Sequence, residues 1–208
     1  MALNATQVRV AGTGKVYIGP ALASGASPVT TDIAKVDVAL AATWKELGYV
    51  TEDGVNFAFN RETSDLNAWQ GSKLRVLTTG EPKSVEFALM QTSTDVMLAA
   101  FGGGTVTEVT AATAASGSAG SPGYTPAKPA VMKFVPPKGS NAERQMVIEF
   151  TDDTTVYRYY FPRVQQEGEI SFSLTKAGAV TYPITFGALD YDPAFEIYTN
   201  DAALTATP

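Results

Sequence analysis

The sequence predicts a mainly β fold: a β-sandwich or small barrel with one short flanking α-helix, long loops and terminal arms. Three observations carry that expectation. Apolar and polar residues alternate with period 2 in several short runs, one capped segment has helical spacing, and Gly/Pro/Asp-rich punctuation separates the runs. At 208 residues the chain fits one domain, 1–208, with an N-terminal arm at 1–14 and a C-terminal arm at 191–208.

In chain order, short strands are expected at Val8–Val10, at Lys15–Ile18 and around Trp44–Val50. Val55, Phe57 and Phe59 then share one face, with Asn56 and Asn60 on the other. Leu74–Thr79 is expected to pair with Lys83–Met90 across Gly80-Glu81-Pro82, a turn by composition. Within the second run Val85, Phe87 and Leu89 point inward and Ser84 and Glu86 outward. Thr92–Phe101 breaks the β pattern: hydroxyl caps and an acid in the first turn precede good helix formers, and Gly102 stops the helix. Residues 111–129 (AATAASGSAGSPGYTPAKP) form a low-complexity stretch and read as a loop within the domain. Met146, Ile148 and Phe150 alternate with Gln145 and Glu149, and Asp152-Asp153 reads as the hairpin turn into Thr155–Phe161. A second hairpin is expected from Ile170, Phe172 and Leu174, through Lys176-Ala177-Gly178, to Tyr182, Ile184 and Phe186.

Composition narrows the chemistry. Charged residues are only 17% of the chain and the net charge is −6. A protein that grips nucleic acid by its phosphates should be basic, because affinity there comes from counterion release at Lys and Arg. The chain has no Cys and no His, which removes thiolate nucleophiles, Cys-based zinc sites and the commonest general base at neutral pH. No run approaches the ~20 apolar residues of a membrane span, and the N-terminus lacks the apolar core of a signal peptide.

The remaining constellations have plain structural readings. Glu52-Asp53 before Gly54 and Asp152-Asp153 between strands are what turns contain, although two carboxylates are also what a glycosidase needs. Asp190-Tyr191-Asp192 runs into Pro193 and lacks the ligand spacing of a calcium loop. Gly102-Gly103-Gly104 has no following Lys-Ser/Thr. Tyr157, Tyr159, Tyr160 and Phe161 beside Arg158 could form an aromatic platform, but alternation assigns half of them to the core. No catalytic residue, metal ligand or cofactor is expected, and the chain is not read as an enzyme. A carboxylate-dependent hydrolase remains the distant alternative.

One segment carries a family resemblance. Trp44-Lys45-Glu46-Leu47-Gly48-Tyr49-Val50-Thr51-Glu52-Asp53-Gly54-Val55 leads into Phe57 and Phe59, then Arg61-Glu62-Thr63-Ser64-Asp65 and Ala68-Trp69-Gln70-Gly71-Ser72-Lys73. The helical segment to Gly104 follows. This order resembles the major tail (tail tube) proteins of siphophages, particularly those infecting actinobacteria, and more widely the tubes of contractile tails and type VI secretion. The resemblance implies hexameric rings, stacked into a tail tube that delivers double-stranded DNA without binding it specifically. It implies itself, the tape-measure protein and the tail terminator and distal tail proteins as partners, a place in the virion tail after assembly in the bacterial cytoplasm, and no membrane insertion. It also implies an inter-ring stacking loop, which falls on Arg61, Glu62, Asp65, Leu66, Trp69, Gln70 and Lys73. Trp69 folding back on its own sandwich is the alternative. Glu86 and Glu149 are the candidates for charges facing the lumen, with ordinary solvated strand faces as the alternative. A monomeric or low-order β-sandwich binding or decoration module is the rival function.

Overall fold

The computed structural model describes residues 7–23, 26–28, 32–117, 119–139, 141–176 and 178–204. Its main sheet is built from β1 (Thr13–Ala21), β2 (Lys45–Glu46), β3 (Val50–Phe59), β6 (Lys83–Leu89), β9 (Arg144–Asp152), β10 (Thr155–Glu167), β11 (Tyr182–Ala188) and β12 (Glu196–Thr199). The order is β2-β1-β9-β10-β11-β6-β3, with β12 also on β10. Two separate ribbons pair β4 (Glu62–Asn67) with β5 (Lys73–Gly80), and β7 (Thr105–Thr110) with β8 (Val131–Val135). The short helix α1 is Thr94–Ala100.

β10 turns this sheet into two layers. Its first half pairs β9 on one side and β12 on the other, and its last residues, Val164–Glu167, pair β11. Between Phe161 and Val164 the register slips, at Pro162, which has no N–H to give the ladder. The strand therefore serves as a corner, and the sheet folds over one core. Val16, Ile18, Met146 and Ile148 from one layer meet Val85, Phe87, Leu89, Ile184 and Phe186 from the other. Helix α1 seals an end with Val96, Ala99 and Ala100, and its Ser93 cap accepts the Val96 N–H at 3.2 Å. The expected helix and inward residues are found.

The edges of the sheet are where alternation misled. The Asp152-Asp153 turn is present, with Asp153 at φ 54° between paired Asp152 and Thr155. The second hairpin is not: residues 169–181 form no strand where described, and β11 pairs β10 and β6 instead. Ala177 of its expected turn lies outside the described residues. Phe172 packs edge-on to Phe101 and against Tyr182, so its apolar surface covers the helix end. Val8–Val10 forms no strand either. Glu52-Asp53-Gly54 lies inside β3, where the register to β6 slips between Val50 and Val55, and is a bulge, not a turn.

The pairing across Gly80-Glu81-Pro82 is also corrected. β5 runs back along β4 and β6 along β3, so residues 50–89 form one long antiparallel hairpin. Phe59 faces Lys83, the Asn60 N–H reaches the Pro82 carbonyl at 3.0 Å, and Glu62 faces Gly80. Gly80-Glu81-Pro82 is the place where that hairpin leaves the main sheet. The stretch from Arg61 to Lys73, read as a loop, is β4 and the hairpin tip. Residues 105–135 behave alike: isolated bridges Thr113–Lys128 and Ser116–Thr125 carry the β7–β8 ladder into the low-complexity stretch. The chain ends are tied in as well. β12 lies in the main sheet, so the C-terminal arm is folded onto it through Thr199, while residues 1–6 and 205–208 lie outside the described residues.

Candidate assembly surface

The β4–β5 arm carries the largest exposed aromatic. At ~3.3 Å per residue its six-residue strand β4 extends the ribbon ~20 Å beyond the β3–β6 ladder. The tip is closed by the Ala68 N–H to the Ser72 carbonyl at 2.7 Å and the Gly71 N–H to the Ala68 carbonyl at 2.9 Å. Trp69 stands on it with its side chain 100% exposed. Leu66, Leu74, Val76 and Leu77 on the same ribbon are also exposed. A two-stranded ribbon with no covered face is marginal in water, and an aromatic anchor of this kind is typical of contact surfaces. Trp69 does not fold back on its own sandwich.

Two ion pairs lie along the arm. Lys73 meets Asp65 at 2.7 Å near the tip, and Arg61 meets Glu81 at 2.9 Å at the base. Being exposed, each contributes little stability, and the ribbon's register rests on the β4–β5 ladder itself. Arg75 makes no ion pair among the described residues. Of the expected loop residues, Glu62 stands at the arm's base and Leu66, Trp69 and Gln70 toward its tip, all exposed.

Glu86 and Glu149 lie on opposite layers. Glu86 is exposed, flanked in register by Asn56 of β3 and Thr185 of β11, on a polar outer face. Glu149 is instead engaged by Arg158, whose Nε donates to its carboxylate at 2.5 Å. Arg158, 2% exposed, also donates to the carbonyls of Lys35 at 2.7 Å and Val38 at 2.6 Å. It clasps residues 32–38 over the outer face of β9 and β10. Under the adjoining stretch a second cluster joins Ile33, Trp44, Val147 and Tyr160. Gln145, expected on a polar face with Glu149, is buried and accepts the Tyr160 hydroxyl at 2.8 Å. The signal was present: Met146-Val147-Ile148 and Tyr159-Tyr160-Phe161 are unbroken apolar runs, the mark of strands covered on both faces.

A further cluster pins the chain ends. Arg9 forms a two-point pair with Asp201 at 2.7 Å for each bond, and the Tyr157 hydroxyl donates to the same carboxylate. These bonds hold the Asp201 carboxyl well below the usual carboxylate range. Tyr198 is pushed up to about 12, by burial first and by its bond to Glu196 second. No three acidic groups come together as a metal site would need among the described residues, and no described helix is long and apolar enough to cross a membrane.

A two-layer β-sandwich with two projecting ribbons, both carrying exposed apolar side chains and one of them a fully exposed Trp69, defines a structural scaffold with contact arms. The model of the phage tail tube protein family matches residues 1–207, and the chain belongs to that family. It is thus a structural protein of the phage virion tail. No curated protein matches it. Among solved structures, it is similar to a chain in the tail of an empty gene transfer agent particle with C6 symmetry, at 11% identity and TM-score 0.37, covering 73% of this chain and 85% of that one. A chain in the virion of a native gene transfer agent particle matches at 10% identity and TM-score 0.38, covering 78% and 92%.

Proposed function

We propose that copies of this chain close into rings, hexameric as the family resemblance implies, and that the rings stack into the tube through which phage DNA passes into the host. The observation that carries this reading is the β4–β5 arm: a ribbon projecting ~20 Å whose Trp69 touches nothing in its own chain's core. Arg61, Glu62, Asp65, Leu66, Trp69, Gln70 and Lys73 act together as the contact between rings. Burying about 200 Å² of one Trp at about 25 cal/mol per Å² contributes about 5 kcal/mol per contact, before the cost of ordering the arm.

The outer face of β3, β6 and β11 suits the lumen. It presents Asn56, Glu86 and Thr185, and a polar, acidic wall repels DNA weakly at each level rather than holding it. Glu149, tied to Arg158, plays no part in that wall. The domain serves assembly and conduction without a catalytic step or cofactor, and the tape-measure, terminator and distal tail proteins are the further partners. Trp69→Ala tests the arm's role. The variant should stay a folded monomer, with unchanged circular dichroism, and give no tubes by electron microscopy. Tubes of normal length from it would refute the assignment.

A further inference from the structure

We propose that the seam between β1 and β3 is the socket for the Trp69 tip of a second copy of this chain, an inference that rests on the ring-and-tube reading. The order of the main sheet leaves β3 at one end, and at the other β1, flanked only by the two-residue β2. Folding the sheet over brings these ends near each other without a ladder between them. A hollow of about 770 Å³ opens there, lined by Val16, Val50, Val55, Phe57, Ile148 and Tyr159. That volume is in the range of sites that enclose a bulky organic group, and its walls are the apolar surface an indole needs. The β3 bulge at Thr51–Gly54 interrupts the ladder to β6 beside this hollow.

The arm cannot reach its own chain's seam. It leaves β3 beyond Phe59, whereas the seam lies along Val50–Phe57, so a return would require breaking the Phe59–Lys83 and Glu62–Gly80 pairings. Charge is complementary between copies. Among the described residues Arg75, opposite Leu66 on the arm, has no ion pair, and neither have Glu52 on the seam's rim and its neighbour Asp53. The other rim charges are already matched, Lys15 with Glu46 and Glu149 with Arg158. Arm and socket lie at different positions along β3, so the arm of one copy can engage the socket of the next and leave its own socket for a third, the head-to-tail repeat that stacking requires.

The absence of cysteine makes the test clean. Gln70→Cys and Tyr49→Cys are prepared separately, both at exposed positions and the second on the hollow's wall without touching its charges, mixed in equal amounts, allowed to assemble and oxidised. Dimers are read on a non-reducing gel and tubes by electron microscopy. The expected result is a crosslinked dimer at least tenfold more abundant in the mixture than in either variant alone, lost when the Gln70→Cys chain also carries Trp69→Ala. Tubes with no excess of crosslink overturn the socket and leave the tube reading standing. An excess of crosslink without tubes supports the socket and overturns the tube reading. Neither crosslink nor tubes, with wild-type protein also failing to assemble, overturns both.

Discussion

Replacing Arg158 with methionine removes the guanidinium while keeping much of the buried stem. Four partners lose their donor: the Glu149 carboxylate at 2.5 Å, the carbonyls of Lys35 and Val38 at 2.7 and 2.6 Å, and the Asp32 carbonyl at 3.4 Å. Breaking a buried ion pair from one side costs about 3–5 kcal/mol, because the remaining charge is left without compensation. Glu149 keeps 17% side-chain exposure and can recover some hydration, which sets the expectation at the lower end, about 3 kcal/mol. Urea unfolding of the unassembled monomer should report that loss as a lower midpoint with an unchanged slope. Residues 32–38 should meanwhile become a site of rapid proteolytic cleavage, since the clasp holds their carbonyls. Adding Glu149→Leu to the variant should recover part of the loss, because the stranded carboxylate is then gone. A loss below about 1 kcal/mol, the scale of an exposed pair, with no new cleavage, would refute the account of Arg158 as the clasp of the outer face.

Two further substitutions probe other parts of the fold. The Asp201 carboxyl is held below its ordinary value by Arg9 and Tyr157, so its contribution is complete above the unfolded value of about 4 and fades as pH falls below it. Asp201→Asn should therefore flatten the fall of stability with pH below about 4, measured by acid titration of the unfolding midpoint; a slope equal to wild type contradicts the clamp. Gly48 has φ 79°, and a Cβ there would lie 2.0 Å from the Gln91 side-chain oxygen. Gly48→Ala should lower stability by about 1–2 kcal/mol from the left-handed backbone alone, which is about 2–8 °C in melting temperature, and an unchanged melting temperature would contradict the strain assigned to this position.

The core layers were legible because their strands obey period 2: Val85, Phe87 and Leu89, and Ile184 and Phe186, are buried as alternation requires. So was the helix, whose Ser93 cap and Gly102 stop are local signals. Strand partners were not. Gly80-Glu81-Pro82 has the composition of a reversal, yet the reversal lies at Ala68–Ser72, and only long-range pairing distinguishes the two. The outer face of β9 and β10 was misjudged for a related reason. Gln145 and Arg158 look like solvent-facing residues until the segment around Asp32–Trp44 closes over them, and that closure is tertiary. Trp69 shows the converse: its exposure on the arm follows from the length of the hairpin, which the run Arg61–Lys73 hinted at without revealing its strands.

The central claim is that this chain builds a tube from copies of itself. Negative-stain electron microscopy of the purified wild-type protein, with end-on class averages, tests it most directly. The account predicts hollow tubes of uniform width with six-fold end views. A population of small globular particles that stays monomeric as concentration rises would contradict it.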